Sequence, residues 1–167
     1  HGPVHFVHNG SETIDGYVAR PKAEGSYPGV LVIAGNKISE EYIPNTCAAL
    51  AVAGFAGLAP NVFHPLPETA RTNEEYERFL SKHTELDRLD DIQMGASYLR
   101  AQPFVRPTGM GIVGFCRGGR EAILFAQVQR ERNRADVAGE RLVDRKAGTR
   151  VDDLIERIAV RVLRESD

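Results

Sequence analysis

The stretch Gly109-Met110-Gly111-Ile112-Val113-Gly114-Phe115-Cys116-Arg117-Gly118-Gly119-Arg120 permits few folds. It reads as a short buried strand, a glycine-rich turn, and a helix that opens near Gly119. Gly114-x-Cys116-x-Gly118 is the spacing of a nucleophile elbow, with Cys where most such turns carry Ser. A side chain held in a tight strand-to-helix turn needs neighbours without Cβ atoms, because backbone and helix pass close by. A Cys there also sits at a helix N-terminus, whose partial positive charge favours the thiolate. The plainer reading is a tight turn around a buried Cys, and only the rest of the chain can decide between them.

The preceding residues supply alternating strands and helices. His5 to His8 and Thr13 to Ala19 alternate as strands, joined by the hairpin signal Asn9-Gly10. His1, His5 and His8 read as a scattered surface trio, since a terminus presets no metal geometry. Pro21 to Pro28 is a loop, and Gly29 to Ala34 is a continuous apolar run suited to a strand buried on both faces. Glu40 to Ala53 has helical patterning and stops at Gly54, with Cys47 as a packed core thiol; Phe55 to Ala59 is the next strand, ended by Pro60. Strand, helix and strand in this order imply a parallel sheet.

Asn61 to Thr72 is a proline-bearing surface loop in which His64 is read as a solvent-facing histidine, with a place lining a site as the alternative. Glu74 to His83 is a short helix. Leu86 to Ala101 is a clearer one, with Leu86, Leu89, Ile92, Gly95, Ala96 and Leu99 on its apolar stripe. Asp87, Asp90 and Asp91 read as a solvated end matched to the helix dipole rather than a metal site. Pro103 and Pro107 break the chain before the strand leading to Cys116.

The totals exclude several classes of function. A chain of 167 residues, 42% hydrophobic and 26% charged, suits one domain with a real core, and a net charge of −2 gives no pull towards nucleic acid or anionic membrane. No apolar run approaches the roughly 20 residues that span a bilayer. Two cysteines, Cys47 and Cys116, make no disulfide framework, and no Cys/His spacing suggests zinc. The first residue is His1 rather than Met, so a preceding piece is expected to have been removed or left out.

Several segments together carry a resemblance: Tyr27-Pro28-Gly29-Val30-Leu31-Val32-Ile33, Leu50-Ala51-x-Ala53-Gly54-Phe55-x3-Ala59-Pro60, Asp90-Asp91 with Tyr98-Leu99-Arg100, and Gly111-x2-Gly114-Phe115-Cys116-x-Gly118-Gly119. Over roughly Gly10 to Gln127 the chain resembles the dienelactone hydrolase (carboxymethylenebutenolidase) family of the α/β-hydrolase fold. The resemblance implies a mostly parallel sheet with an N-terminal β-hairpin and flanking helices. It also implies a Cys–His–Asp triad without a cofactor, acting on a small lactone or ester. Cys116 would be the nucleophile, and Gly114, Gly118 and Gly119 the elbow glycines. The backbone N–H groups of Arg117 and Asn36 would form the oxyanion hole.

Two departures shape what is expected. Where family members carry a His-Glu-type pair after the first parallel strand, this chain has Ala34 and Gly35, leaving Glu40 or Glu41 as substitutes. In this fold the base follows the nucleophile, yet the five histidines are His1, His5, His8, His64 and His83, all before Cys116. His64 and His83 are the remaining candidates for a base. After Gln127 the chain departs from the family, as if truncated or altered, and the C-terminal strands are expected to be missing. Residues 1–127 are read as the hydrolase-like domain and 128–167 as a charged tail, with an amphipathic helix over 151–164 and a short strand at Leu142-Val143.

Without further strands, Met110 to Gly114 would lie on an exposed edge, which a second copy of the chain could cover. The leading expectation is a lactone or ester hydrolase of impaired activity, in a reducing cytoplasm suited to a working thiolate. The alternatives are a non-catalytic binding or assembly protein on the same fold, and a redox-sensing thiol protein with Cys47 as partner. Arg71 and Arg78 are candidates to receive a carboxylate-bearing substrate.

Overall fold

In the computed structural model, residues 1–8, 12–35, 41–64 and 73–137 are described. The chain divides into two compact units, His1–Ala122 and Ile123–Asp167. In the second, the described residues are those of one helix up to Val137.

The first unit is a five-stranded mixed sheet flanked by helices. Strands β1 (Gly2–His8) and β2 (Glu12–Ala19) form the antiparallel hairpin that the alternation predicts, in a register that sets His5 opposite Asp15. The Asn9-Gly10 turn lies outside the described residues. Strands β3 (Tyr27–Ile33), β4 (Ala56–Pro60) and β5 (Val105–Gly114) are parallel to one another, and β2 joins them antiparallel to β4. The resulting order is β1-β2-β4-β3-β5. The interior place of β3, between β4 and β5, explains its sequence, since Leu31, Val32 and Ile33 have no exposed surface. Burying each such side chain contributes about 2 kcal/mol.

Helix α1 (Tyr42–Val52) packs on one face of the sheet. Its Ile43 and Cys47 share a cluster with Ala19, Val32, Ala34 and Ala59. Pro44 is tolerated because it falls in the first turn, where the missing N–H would have had no helical partner. Helices α2 (Asn73–Leu80) and α3 (Glu85–Arg100) follow β4. Gly29 and Leu58, opposite in strand parity to Val32 and Gly57, approach Leu99 and Gly95 of α3, so α3 covers the other face.

Two expectations are corrected. Asp91 is not part of a solvated helix end: it is 1% exposed, because it falls on the inward face of α3 beside Arg88, Leu89, Ile92 and Gly95. The dipole-matched residue is Asp87, which forms a capping box with Thr84. Pro107 does not precede the last strand but lies within it. Tyr27 pairs with Val105 and Gly29 with Met110, so Arg106, Pro107, Thr108 and Gly109 bulge out opposite Pro28 alone. Gly109, at φ 74°, closes that bulge.

Among the described residues β5 pairs only with β3, leaving its other side as the edge that the sequence led us to expect. Helix α4 (Arg117–Val137) continues past Gln127. Leu142-Val143 and 151–164 lie outside the described residues. No described helix is long and apolar enough to cross a membrane.

Candidate active site

Strand β5 ends at Gly114 and α4 begins at Arg117, so Phe115 and Cys116 alone make the turn. Cys116 has φ 52°, a left-handed backbone that no other described non-glycine residue adopts. Such a conformation costs a side-chain-bearing residue about 1–2 kcal/mol. The neighbouring glycines hold it there. A Cβ on Gly118 would stand 2.5 Å from the carbonyl oxygens of both Ile33 and Ala34, and one on Gly114 would fall on the Gly118 carbonyl. Phe115 N–H donates to Ile33 O at 3.0 Å, and Gly119 N–H donates to Cys116 O at 3.0 Å. The turn is thus clamped between the end of β3 and the first turn of α4, with Cys116 exposed at the helix N-terminus.

Bare backbone and aromatic rings lie beside the turn. Gly35 lies beside it: a Cβ there would be 3.0 Å from both Cys116 Cβ and Phe115 O. Gly35 N–H donates to the Tyr42 hydroxyl at 3.4 Å, and the Tyr76 hydroxyl donates to Gly35 O at 3.3 Å. Tyr42 meets Phe115 edge to face at 5.2 Å between ring centroids, and the Arg117 guanidinium lies 5.6 Å above the Tyr76 ring. Burial pushes the Tyr76 hydroxyl above its ordinary range, against the opposing pull of Arg117. Neither tyrosine was singled out from sequence, because each reaches the site from an otherwise ordinary helix.

Asn36, Glu40 and Arg71 lie outside the described residues. Glu41 is exposed at the start of α1 without a side-chain capping bond, and Arg78 is exposed in the last turn of α2. Cys47 is fully buried, and that burial pushes its thiol up to about 12; both cysteines are free.

The two imidazoles meet a carboxylate. His83 Nε2 is 2.8 Å from Asp91 Oδ2 and His64 Nδ1 is 3.6 Å from the same oxygen. Their rings cross at 87° with centroids 5.5 Å apart. The His64 side chain is 8% exposed, which corrects the solvent-facing loop histidine expected from the proline-rich segment. Among the described residues Cys116 makes no hydrogen bond to either ring.

A second buried polar pair joins α3 to the first turns of α4. Arg88 Nε donates to Glu121 Oε1 at 2.5 Å and Arg88 Nη1 donates to His83 O at 2.6 Å. Arg88 is 4% exposed and Glu121 not at all. Desolvation raises the Glu121 carboxyl above the usual range, with Arg88 opposing through its hydrogen bond and charge.

Comparison with known proteins agrees with this architecture. Residues 14–138 match the dienelactone hydrolase family. A Bradyrhizobium protein assigned as a 2-oxo-3-(5-oxofuran-2-ylidene)propanoate lactonase is 34% identical over 113 residues, 66% of this chain and 45% of that protein. An Aquifex aeolicus protein assigned as a carboxymethylenebutenolidase is 31% identical over 129 residues, 74% of this chain and 54% of that protein. The crystal structure of a Klebsiella pneumoniae protein assigned to the dienelactone hydrolases superposes with a TM-score of 0.65 at 28% identity, covering 75% of this chain and 54% of that one. The chain spans about half the length of the curated relatives it matches. With sheet order, strand-to-helix turn and sequence in agreement, the chain belongs to the dienelactone hydrolase family.

Proposed function

We propose that this chain carries the nucleophile of a hydrolase acting on small lactones or esters, with Cys116 as that nucleophile. The observation that carries the reading is the left-handed backbone of Cys116 at the exposed head of α4. A buried structural thiol has no use for such a conformation, whereas an attacking one does. The thiolate Sγ forms a bond to the carbonyl carbon, and the negative charge moves to the carbonyl oxygen. Collapse expels the alkoxide, opening the ring in a lactone and leaving a thioester on Cys116; water then releases the acid and restores the thiolate. The N–H of Arg117, with that of Asn36 as second donor, stabilises the oxyanion.

Deacylation is the slow step in this proposal. The two candidate bases, His64 and His83, converge on Asp91. A nucleophile without its base keeps some catalysis from the oxyanion site but loses several orders of magnitude. With p-nitrophenyl acetate the chain should release one equivalent of nitrophenolate in a burst and carry an acetyl adduct on Cys116 in the intact mass. Cys116→Ala should abolish both. Release indistinguishable from buffer, with no adduct, refutes the proposal.

A reducing cytoplasm is the compartment that suits this thiol. The side of β5 that no described strand pairs favours a second reading, in which this edge serves assembly of two copies. Light scattering that gives a monomer mass at high concentration rejects that reading.

A further inference from the structure

We propose that His64, His83 and Asp91 form a binding site for one divalent transition-metal ion, Zn(II) by the nature of its donors. The three side chains come from the turn after β4, the turn between α2 and α3, and α3 itself. Their ligand atoms all lie within 4.8 Å of one another. Two donors on a tetrahedral zinc ion with bonds of about 2.0 Å stand about 3.3 Å apart. The observed separations from Asp91 Oδ2, 2.8 Å to His83 Nε2 and 3.6 Å to His64 Nδ1, lie on either side of that edge. Small side-chain rotations would therefore bring the donors onto one ion.

The chemistry of the set is selective. Two imidazoles and one carboxylate suit zinc and are too rich in nitrogen for magnesium or calcium. Burial fixes the geometry before any ion arrives, the side chains being 8%, 14% and 1% exposed. Arg88 holds the backbone of His83 through its bond to the carbonyl oxygen, and Glu121 balances the charge of Arg88 beside the site. Three protein ligands leave a fourth position for water. The ion needs a ring nitrogen lone pair from each imidazole and the ionised carboxylate of Asp91. The site uses no residue of the elbow and stands or falls separately from the hydrolase reading.

The competing account is a hydrogen-bonded His–Asp cluster that never meets a metal, and titration of the full chain separates the two. After treatment with a chelator, calorimetry with Zn(II) should give one ion per chain, and zinc should raise the thermal midpoint. Co(II) should develop the intense visible bands of a low-coordinate site without thiolate charge transfer. His64→Gln and His83→Gln should each weaken zinc by more than about 100-fold, since losing an outer-shell partner alone commonly costs 10–100-fold. Cys116→Ser should leave the affinity unchanged. Should His83→Gln fail to fold by circular dichroism, His64→Gln decides. Absence of binding at micromolar zinc overturns the site, as does binding that survives His64→Gln or disappears with Cys116→Ser.

Discussion

Gly118→Ala tests the clamp that sets the Cys116 backbone. The added Cβ would lie 2.5 Å from both Ile33 O and Ala34 O, where ordinary contact begins near 3.4 Å. The first turn of α4 must therefore retreat from the end of β3 by about 0.9 Å, the difference between the two distances. Both obstacles are backbone atoms at the end of β3 and cannot rotate away. Overpacking of this kind costs about 3 kcal/mol, the upper part of the usual range. In a chain of this size that lowers the thermal midpoint by about 6–12 °C. A shift of nearly 1 Å at a reacting atom also slows chemistry about 100-fold.

Gly119→Ala is the matched control. Its Cβ would be 3.3 Å from Gly114 O, a slight squeeze, and alanine gains about 1 kcal/mol of helix propensity over glycine. We expect this variant within about 1 kcal/mol of the parent. The assays are urea and thermal unfolding followed by circular dichroism, and the rate of Cys116 acylation. Equal midpoints and equal acylation rates for the two variants would refute the clamp.

Two further outcomes follow from the buried polar groups and thiols. Arg88→Met should destabilise the fold by about 3–5 kcal/mol, because the Glu121 carboxylate loses its partner while staying buried. Without Arg88 the folded carboxyl rises further above its unfolded value, so the variant should lose stability as pH rises above the ordinary carboxylate range, and a flat or opposite slope in urea midpoints counts against this account. Native chains should release one equivalent of chromophore with an aromatic disulfide reagent, from exposed Cys116, and two in denaturant, since Cys47 is buried with its thiol pushed up to about 12. Two equivalents from native protein would show that Cys47 is accessible.

The apolar framework was legible because each element announced its own burial. Gly29 to Ala34 has no polar residue to place outward, and Gly114-x-Cys116-x-Gly118 encodes a close approach in glycine spacing alone. What stayed hidden were polar groups whose partners are remote in sequence. Arg88 and Glu121 lie 33 residues apart, and each read separately is an ordinary charge on an amphipathic helix. Asp91 follows Asp90 and Asp87 in a run that fits a dipole-matched helix start, yet one turn of periodicity carries it under His64 and His83. The position of Pro107 was misjudged for a related reason. Proline rules out a regular strand position but not a bulge, and the bulge opposite Pro28 shows only in the pairing of β5 with β3.

That bulge also bears on how the chain can vary in length. The register of Met110 to Gly114 against Gly29 to Ile33 is fixed after the four residues Arg106, Pro107, Thr108 and Gly109 have already departed from the ladder. A residue gained or lost among those four would change the size of the protrusion while the five paired residues beyond it kept their partners. The bulge is thus an expansion joint: upstream insertions and deletions are absorbed there before they can reach the position of Cys116.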